Sequence, residues 1–485
     1  MSRLRTLCLI LGFGLVAASW ARVEERLALY LQGSRIGTVT NSSTADQLNG
    51  KPVTRNENRM EIKSQMLGTS LEMVSSTTSW VDENQRPIRQ KSVITSGGRT
   101  QVVEAEFKAD TIDVRVDNNG VKSQKTLAIP KGAILDDDPT STISRGDRPP
   151  TGKSMTVYVL DPATVTLIPN KIIYRGRSQV DVRGKKVDAD LIEIEDPRMS
   201  TKVFLSLKGD LIKVEAAMGL EMWPESTAPA ESERPTSGSK DLALASAIPT
   251  QPAIERPEQV TFLRLEVRGV DLSRMPSDTH QTVRKDGDRW LITCKPVLPD
   301  PKQSLTRAEA ARSQPNWLKP SLHVPSQDPA FRQRAQQIVG SETSVVKAAE
   351  KIRRAVLNRM TANAGIGVLR DAREVWQSQE GVCRDYAILM ATLCRAADIP
   401  TRLVSGLISD DGMFYYHAWV EVWTGKQWVG LDATRPAPGL TGTHLKIAQG
   451  NVEEAFQFFL FEKATMKVLE VRHSKPGKAA SRRAS

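Results

Sequence analysis

The hydrophobic period of this 485-residue chain changes near Asp328, and that change limits the fold more than any other feature. From Leu27 to Trp223 apolar and polar residues alternate in short runs. Leu27-Ala-Leu-Tyr-Leu, Val102-Val-Glu-Ala-Glu-Phe, Thr111-Ile-Asp-Val-Arg-Val, Ile172-Ile-Tyr-Arg, Asp190-Leu-Ile-Glu-Ile, Lys202-Val-Phe-Leu-Ser-Leu and Leu211-Ile-Lys-Val-Glu all read as strands. Successive strand side chains point to opposite faces, so this pattern specifies a sheet with a buried face. Asn118-Asn119-Gly120, Arg183-Gly184 and Lys208-Gly209-Asp210 supply the turns of an antiparallel meander. Near Asp328 the period becomes helical. Asp328 is an N-cap with Pro329 in the first turn, opening a helix over Ala330 to Val339. Ser341 to Met360 follows, with Val345, Ala348, Ile352 and Val356 on one face. The chain is also too long for one ordinary core, so an α+β protein of several domains is expected.

Between the two regimes, Pro224 to Pro257 holds six prolines among Ser, Thr, Ala and Glu, the composition of a linker. Two or three strands are read after it, including Phe262-Leu-Arg-Leu-Glu-Val and Arg289-Trp-Leu-Ile-Thr-Cys. The expected organisation is therefore a signal peptide at 1–21, a β-rich domain at 22–223 and a linker at 224–257. A small β segment at 258–315, a helix-bearing domain at 316–470 and a disordered basic tail at 471–485 complete it. Arg3 and Arg5, the apolar run Leu7 to Ala18 and the small residues at Ser19 and Ala21 give the first segment its export layout. That run is shorter than the roughly 20 residues of a spanning helix, and a retained N-terminal anchor is the runner-up. Export, with no integral membrane domain beyond this segment, is the expectation.

Net charge is +11, but Lys and Arg are spread over the whole length and form no stripe interleaved with aromatics. No nucleic-acid partner is expected. Beyond the leader, the cysteines are Cys294, Cys383 and Cys394. Cys383 and Cys394 share one predicted helix, roughly 16 Å apart at 1.5 Å per residue, too far for a disulfide. No C-x-x-C or paired-His spacing points to a metal, and no cofactor is expected.

Gly381-Val-Cys383-Arg-Asp-Tyr-Ala opens the helix that carries Cys383 in its first turn, where free N–H groups and the macrodipole favour a thiolate. Further on, Met413 to Trp423 and Trp428 to Thr434 flank Gly425-Lys426, a two-residue hairpin loop. Counting outward from that loop sets Trp423 against Trp428, Glu421 against Gly430, Trp419 against Asp432 and His417 against Thr434. His417, Trp419 and Asp432 then share a face, with His417 and Asp432 diagonal neighbours at roughly 7–8 Å between backbones. The opposite face, Ala418, Val420, Val422, Val429 and Leu431, reads as core. A thiol, an imidazole to take its proton and a carboxylate to orient that imidazole thereby acquire defined places. His444 is the rival base; it stands beyond the hairpin with no acid in register. A second oxyanion donor falls to Trp376 or Gln379, and nothing in the sequence selects between them.

With these residues in view, the chain resembles the transglutaminase-like superfamily. The resemblance is carried by Gly381-Val-Cys383-Arg-Asp-Tyr-Ala, by Arg395-Ala-Ala-Asp-Ile-Pro400-Thr-Arg402-Leu-Val-Ser-Gly406, by His417-Ala-Trp-Val-Glu421-Val and by Trp428-Val-Gly-Leu-Asp432-Ala-Thr434. It spans about Asn316 to Lys467, and one departure is Ala433, where the family often has proline. It implies a papain-like C-terminal domain with Cys383 as nucleophile, His417 as base and Asp432 as orienter. Peptidase-type hydrolysis of amide bonds is favoured over cross-linking, with a protein or peptide as substrate. The stretch from Tyr174 to Trp223 resembles, by pattern, the half-barrels of envelope lipoprotein carriers, which makes cell-envelope components candidate partners. The alternative is a non-catalytic envelope binding or assembly protein working through its β-rich domain.

Overall fold

The computed structural model describes residues 23–136, 148–229, 241–456, 461 and 464–474. The expected signal peptide, the middle of the Pro-rich stretch and most of the basic tail lie outside these residues. The described chain forms two compact units. One takes residues 23–245 together with 363–378; the other takes 246–362, 379–456 and 461–474.

The first unit is built on a sheet of fifteen strands. Eight follow one another as a meander from Val23–Leu31 to Val121–Ala128. Val23–Leu31 pairs on its other side with Leu220–Pro224, from which the order runs back through the chain to Ile134–Leu135. All pairs are antiparallel except Ile134–Leu135 with Ser154–Asp161. As the central strand, Val23–Leu31 is covered on both faces: Leu27, Leu29 and Leu31 pack with Val39, Ile192, Val214 and Met222, while Ala28 and Tyr30 pack with Trp223. Each such leucine contributes about 1.5–3 kcal/mol by burial.

Four strands of this sheet, Ser34–Leu48, Lys51–Met66, Thr69–Val81 and Pro87–Ser96, bury polar side chains instead. Register aligns Asn41, Asn58, Thr77 and Ser92 across all four. Asn58 Nδ2 donates to Asn41 Oδ1 at 2.8 Å, the Thr77 and Ser92 hydroxyls bond at 3.0 Å, and Ser43 Oγ donates to Asn56 Oδ1 at 2.9 Å. Residues 363–378 dock on this unit. Ser96 Oγ donates to the Gly365 carbonyl and accepts the Gly367 N–H, and Arg99 Nε binds the buried Glu374 at 2.8 Å.

The second unit has a nine-stranded sheet. The strands Val260–Arg268, Gln281–Asp286 and Arg289–Cys294, from the small β segment, join it through Thr465–His473. Ile248–Gln251, at the end of the Pro-rich stretch, pairs with both Met413–Trp423 and Thr465–His473. Val471 and Arg472, which composition assigns to the tail, lie within that last strand. Thr401–Asp410 runs between Met413–Trp423 and Leu445–Gly450. The helices Pro329–Val339 and Val345–Arg359 start where their caps direct: Asp328 accepts the Ala330 N–H at 2.9 Å, and Ser344 accepts the Lys347 N–H. Val345, Ala348, Ile352 and Val356 are all buried. Thr361–Ala362 and Glu380–Gly381 pair in parallel, so the 363–378 excursion leaves and re-enters at one point just before Cys383.

Candidate active site

The helix Cys383–Ala396 begins at the cysteine. Asp385 Oδ2 accepts the Val382 N–H at 2.9 Å, tying down the turn that presents Cys383. From Asp385 to Arg395 the helix is buried all round, which fixes its N-terminal end in place. Cys383 is a free thiol of intermediate exposure, whereas Cys294 and Cys394 are buried. Burial pushes the Cys394 thiol up to about 12 and raises Cys294 further, so neither ionises in the neutral range.

The hairpin follows the register counted from its loop. Gly425 has φ +109°, Thr424 N–H donates to Gln427 O, and Trp423 faces Trp428, Glu421 faces Gly430 and Val420 faces Leu431. The ladder stops at Leu431. Asp432 opens a turn in which Oδ1 accepts the Thr434 N–H at 2.8 Å and its hydroxyl at 2.7 Å. Its other oxygen, Oδ2, lies 2.8 Å from His417 Nε2. Arg353, buried on Val345–Arg359, donates to the carbonyls of Asp432, Arg435 and Pro436 and pins this turn. With Nε2 committed to Asp432, Nδ1 of His417 is the ring atom left for another partner, and Cys383 is near enough to favour the charged ring.

The electrostatics follow from these contacts. Burial opposes the charged form of His417, but the Asp432 carboxylate, by charge and hydrogen bond, and Cys383 together lift it to about 10. Burial likewise opposes ionisation of Asp432, and His417 outweighs it, holding the carboxyl well below its ordinary range. The site thus favours an imidazolium between a carboxylate and a sulfur.

Two features depart from the sequence expectation. Both faces of the histidine strand are buried, because Glu421 on the supposed site face is paired with Arg402, its cross-strand neighbour, and with the fully buried Lys446. Lys446 also binds Asp278. Secondly, His444 does have an acid: its Nε2 lies 3.5 Å from Asp432 Oδ2. Counting outward from the hairpin could not show this, since His444 arrives at the head of Leu445–Gly450, on the far side of Thr401–Asp410. Thr441-Gly-Thr-His444 was the local signal, a turn that folds the ring back on its own backbone. The side-chain nitrogens of His417 and His444 and the oxygen of Asp432 lie within 4.8 Å of one another, a spacing a small divalent cation could also fit. Of the two expected oxyanion donors, Gln379 is exposed at φ +59° with its carbonyl accepting the Thr361 N–H, and Trp376 lies on the helix Ala372–Ser378.

A free thiol at a helix start thus stands beside an imidazole and a carboxylate carried by an antiparallel sheet. Residues 332–433 match the transglutaminase-like superfamily, and this part of the chain is a transglutaminase-like domain. Residues 26–214 match a family of proteins of unknown function, DUF3108. Similar solved structures include a candidate cysteine protease from Cytophaga hutchinsonii, 19% identical, covering 45% of this chain and 89% of that one at a TM-score of 0.33. A candidate protease from Parabacteroides distasonis is 13% identical, covering 81% and 68% at a TM-score of 0.21. No curated protein matches the chain.

Proposed function

We propose that this chain is an exported cysteine enzyme that cleaves amide bonds in proteins or peptides through Cys383, His417 and Asp432. The observation that carries the reading is the His417 ring, bonded to Asp432 at 2.8 Å through Nε2, with Cys383 near enough to favour its charged form. The thiol proton passes to His417, the sulfur attacks the substrate carbonyl carbon, and a C–S bond forms. Collapse of the tetrahedral adduct breaks the C–N bond, and the imidazolium returns its proton to the departing amine. His417, neutral again, takes a proton from the incoming acceptor, which displaces the sulfur and restores the thiol. Asp432 holds the ring in one tautomer throughout. Water, far more abundant than any amine, is the default acceptor. Export rests on the basic and apolar layout of residues 1–21.

The mature chain is mixed with p-nitrophenyl acetate, and released p-nitrophenol is followed in the first turnover, with and without a primary amine. The reading predicts a stoichiometric burst and an acetylated Cys383 peptide, both absent in Cys383→Ala. A wild-type chain with no burst and no acyl-cysteine would overturn it. Preferential transfer to the amine would turn hydrolysis into cross-linking.

A further inference from the structure

We infer that His444 is a positioning residue for this chemistry: a second imidazole whose Nε2–H holds the Asp432 carboxylate for His417. The inference rests on the Cys383–His417–Asp432 reading and extends it by one residue.

The tautomer of His444 is set by its surroundings. A backbone N–H can only donate, and the Thr441 N–H meets His444 Nδ1 at 3.0 Å, with the Thr441 hydroxyl also at 3.0 Å. In the neutral ring the proton therefore sits on Nε2, the atom that faces Asp432 Oδ2 at 3.5 Å. The backbone of His444 is fixed as firmly. Its N–H donates to Thr441 O. Its carbonyl is met by His280 Nε2 at 2.7 Å and by the Cys294 thiol at 3.4 Å. Two residues on, Gln281 grips both the N–H and the C=O of Lys446, at 2.8 and 2.7 Å. Three side chains of the small β segment thus hold the start of the strand that delivers this ring, which explains why that segment belongs to the catalytic sheet. Trp419 closes the remaining side, edge-on to His444 at 5.3 Å between ring centroids and 6.2 Å from His417.

Neutrality is the useful property. The groups facing His444 are Asp432, His417 and Arg435, and burial, outweighing the carboxylate, lowers the ring to about 4. A cation in its place would sit near His417, whose centroid is 6.1 Å away, and would disfavour the imidazolium that catalysis needs. A neutral donor steadies Asp432 without that repulsion. Thr434 secures Oδ1 and His444 steadies Oδ2, leaving the strong contact on Oδ2 to His417. Groups that orient a reacting group in this manner typically cost 10–100-fold in activity when removed, on the order of magnitude found for outer-shell partners.

The test compares wild type, His444→Phe and His444→Gln as full mature chains, the Gln amide being able to present an N–H where Nε2 stood. Burst rates with p-nitrophenyl acetate are read beside 15N spectra of histidine-labelled protein, in which five histidines must be assigned. The inference predicts a wild-type His444 signal of the neutral Nε2–H form from pH 5.5 to 8. It also predicts a burst slowed roughly tenfold or more in His444→Phe, with most of the rate recovered in His444→Gln and the His417–Asp432 signals displaced only in the Phe variant. Equal bursts in wild type and His444→Phe would overturn the inference while leaving the triad standing. Equal losses in both variants with unmoved His417 signals would also overturn it, reducing His444 to packing. A missing burst in wild type would instead defeat the triad reading on which it rests.

Discussion

The four strands from Ser34 to Ser96 and the sheet around His417 both bury polar side chains, but of opposite kinds. In the four strands they are neutral: Asn41 on Asn58, Ser43 on Asn56, Thr77 on Ser92. In the catalytic unit they are charged: Arg402 and Lys446 on Glu421, Lys446 on Asp278, His417 on Asp432. A neutral amide pair contributes about 1 kcal/mol net and chiefly punishes the wrong register, because a one-residue slip strands each group. A buried charge is far costlier to strand, so it persists only inside a network that fixes its position. The first arrangement specifies a sheet. The second fixes His417 against Asp432 and surrounds the residues proposed to carry the chemistry.

That contrast can be broken from the catalytic side first. Cys383→Ala should lower acyl transfer by about 10⁴-fold or more, measured as burst amplitude and steady rate. Glu421→Ala leaves Lys446 and Arg402 buried beside a missing carboxylate, and equilibrium unfolding should show a loss of about 3–5 kcal/mol. In the neutral ladder, Asn58→Ala should cost about 1–3 kcal/mol, while the paired change of Asn41 and Asn58 to Leu should be close to neutral. A single Asn58 loss as large as that of Glu421 would erase the distinction. Gly406 tests the packing that supports the site: a Cβ there would strike the Leu445 carbonyl and the Trp419 ring. Gly406→Ala should cost about 1–3 kcal/mol by overpacking and slow the burst as Trp419 shifts against both histidines.

The smallest effect is a slope with pH. His417, raised from 6.5 to about 10, contributes stability that is complete below about 6.5 and lost as pH rises through about 10. His444, lowered from 6.5 to about 4, acts at the other end. The unfolded ring takes a proton near 6.5 and the folded ring not until about 4, so its contribution falls as pH drops across that interval. Together they predict greatest thermal stability near pH 6.5, with the acid slope flattened in His444→Phe.

The same contrast explains what the sequence disclosed. Apolar periodicity marked Leu27–Leu31 and Thr111–Val116, where inward positions are hydrophobic. It was silent on the four strands from Ser34 to Ser96, because many of their inward positions carry Asn, Ser, Thr and Gln. In the catalytic unit the local rules were sufficient: the Gly425-Lys426 loop dictated the pairing of Glu421 with Gly430, and Asp328-Pro329 marked a helix start. What escaped was long-range. His444 approaches Asp432 only because Leu445–Gly450 pairs beyond Thr401–Asp410, and the small β segment joins the sheet only through Thr465–His473, which no local count reveals.

The central claim is an activated thiol at Cys383 paired with His417. Iodoacetamide labelling at about pH 6, where an unassisted thiol reacts slowly, tests it by peptide mass in wild type, Cys383→Ala and His417→Ala. Buried Cys294 and Cys394 serve as internal unreactive controls. The account predicts rapid labelling at Cys383 that collapses in His417→Ala. Slow labelling, equal in wild type and His417→Ala, would contradict it and return attention to the N-terminal sheet as a binding module.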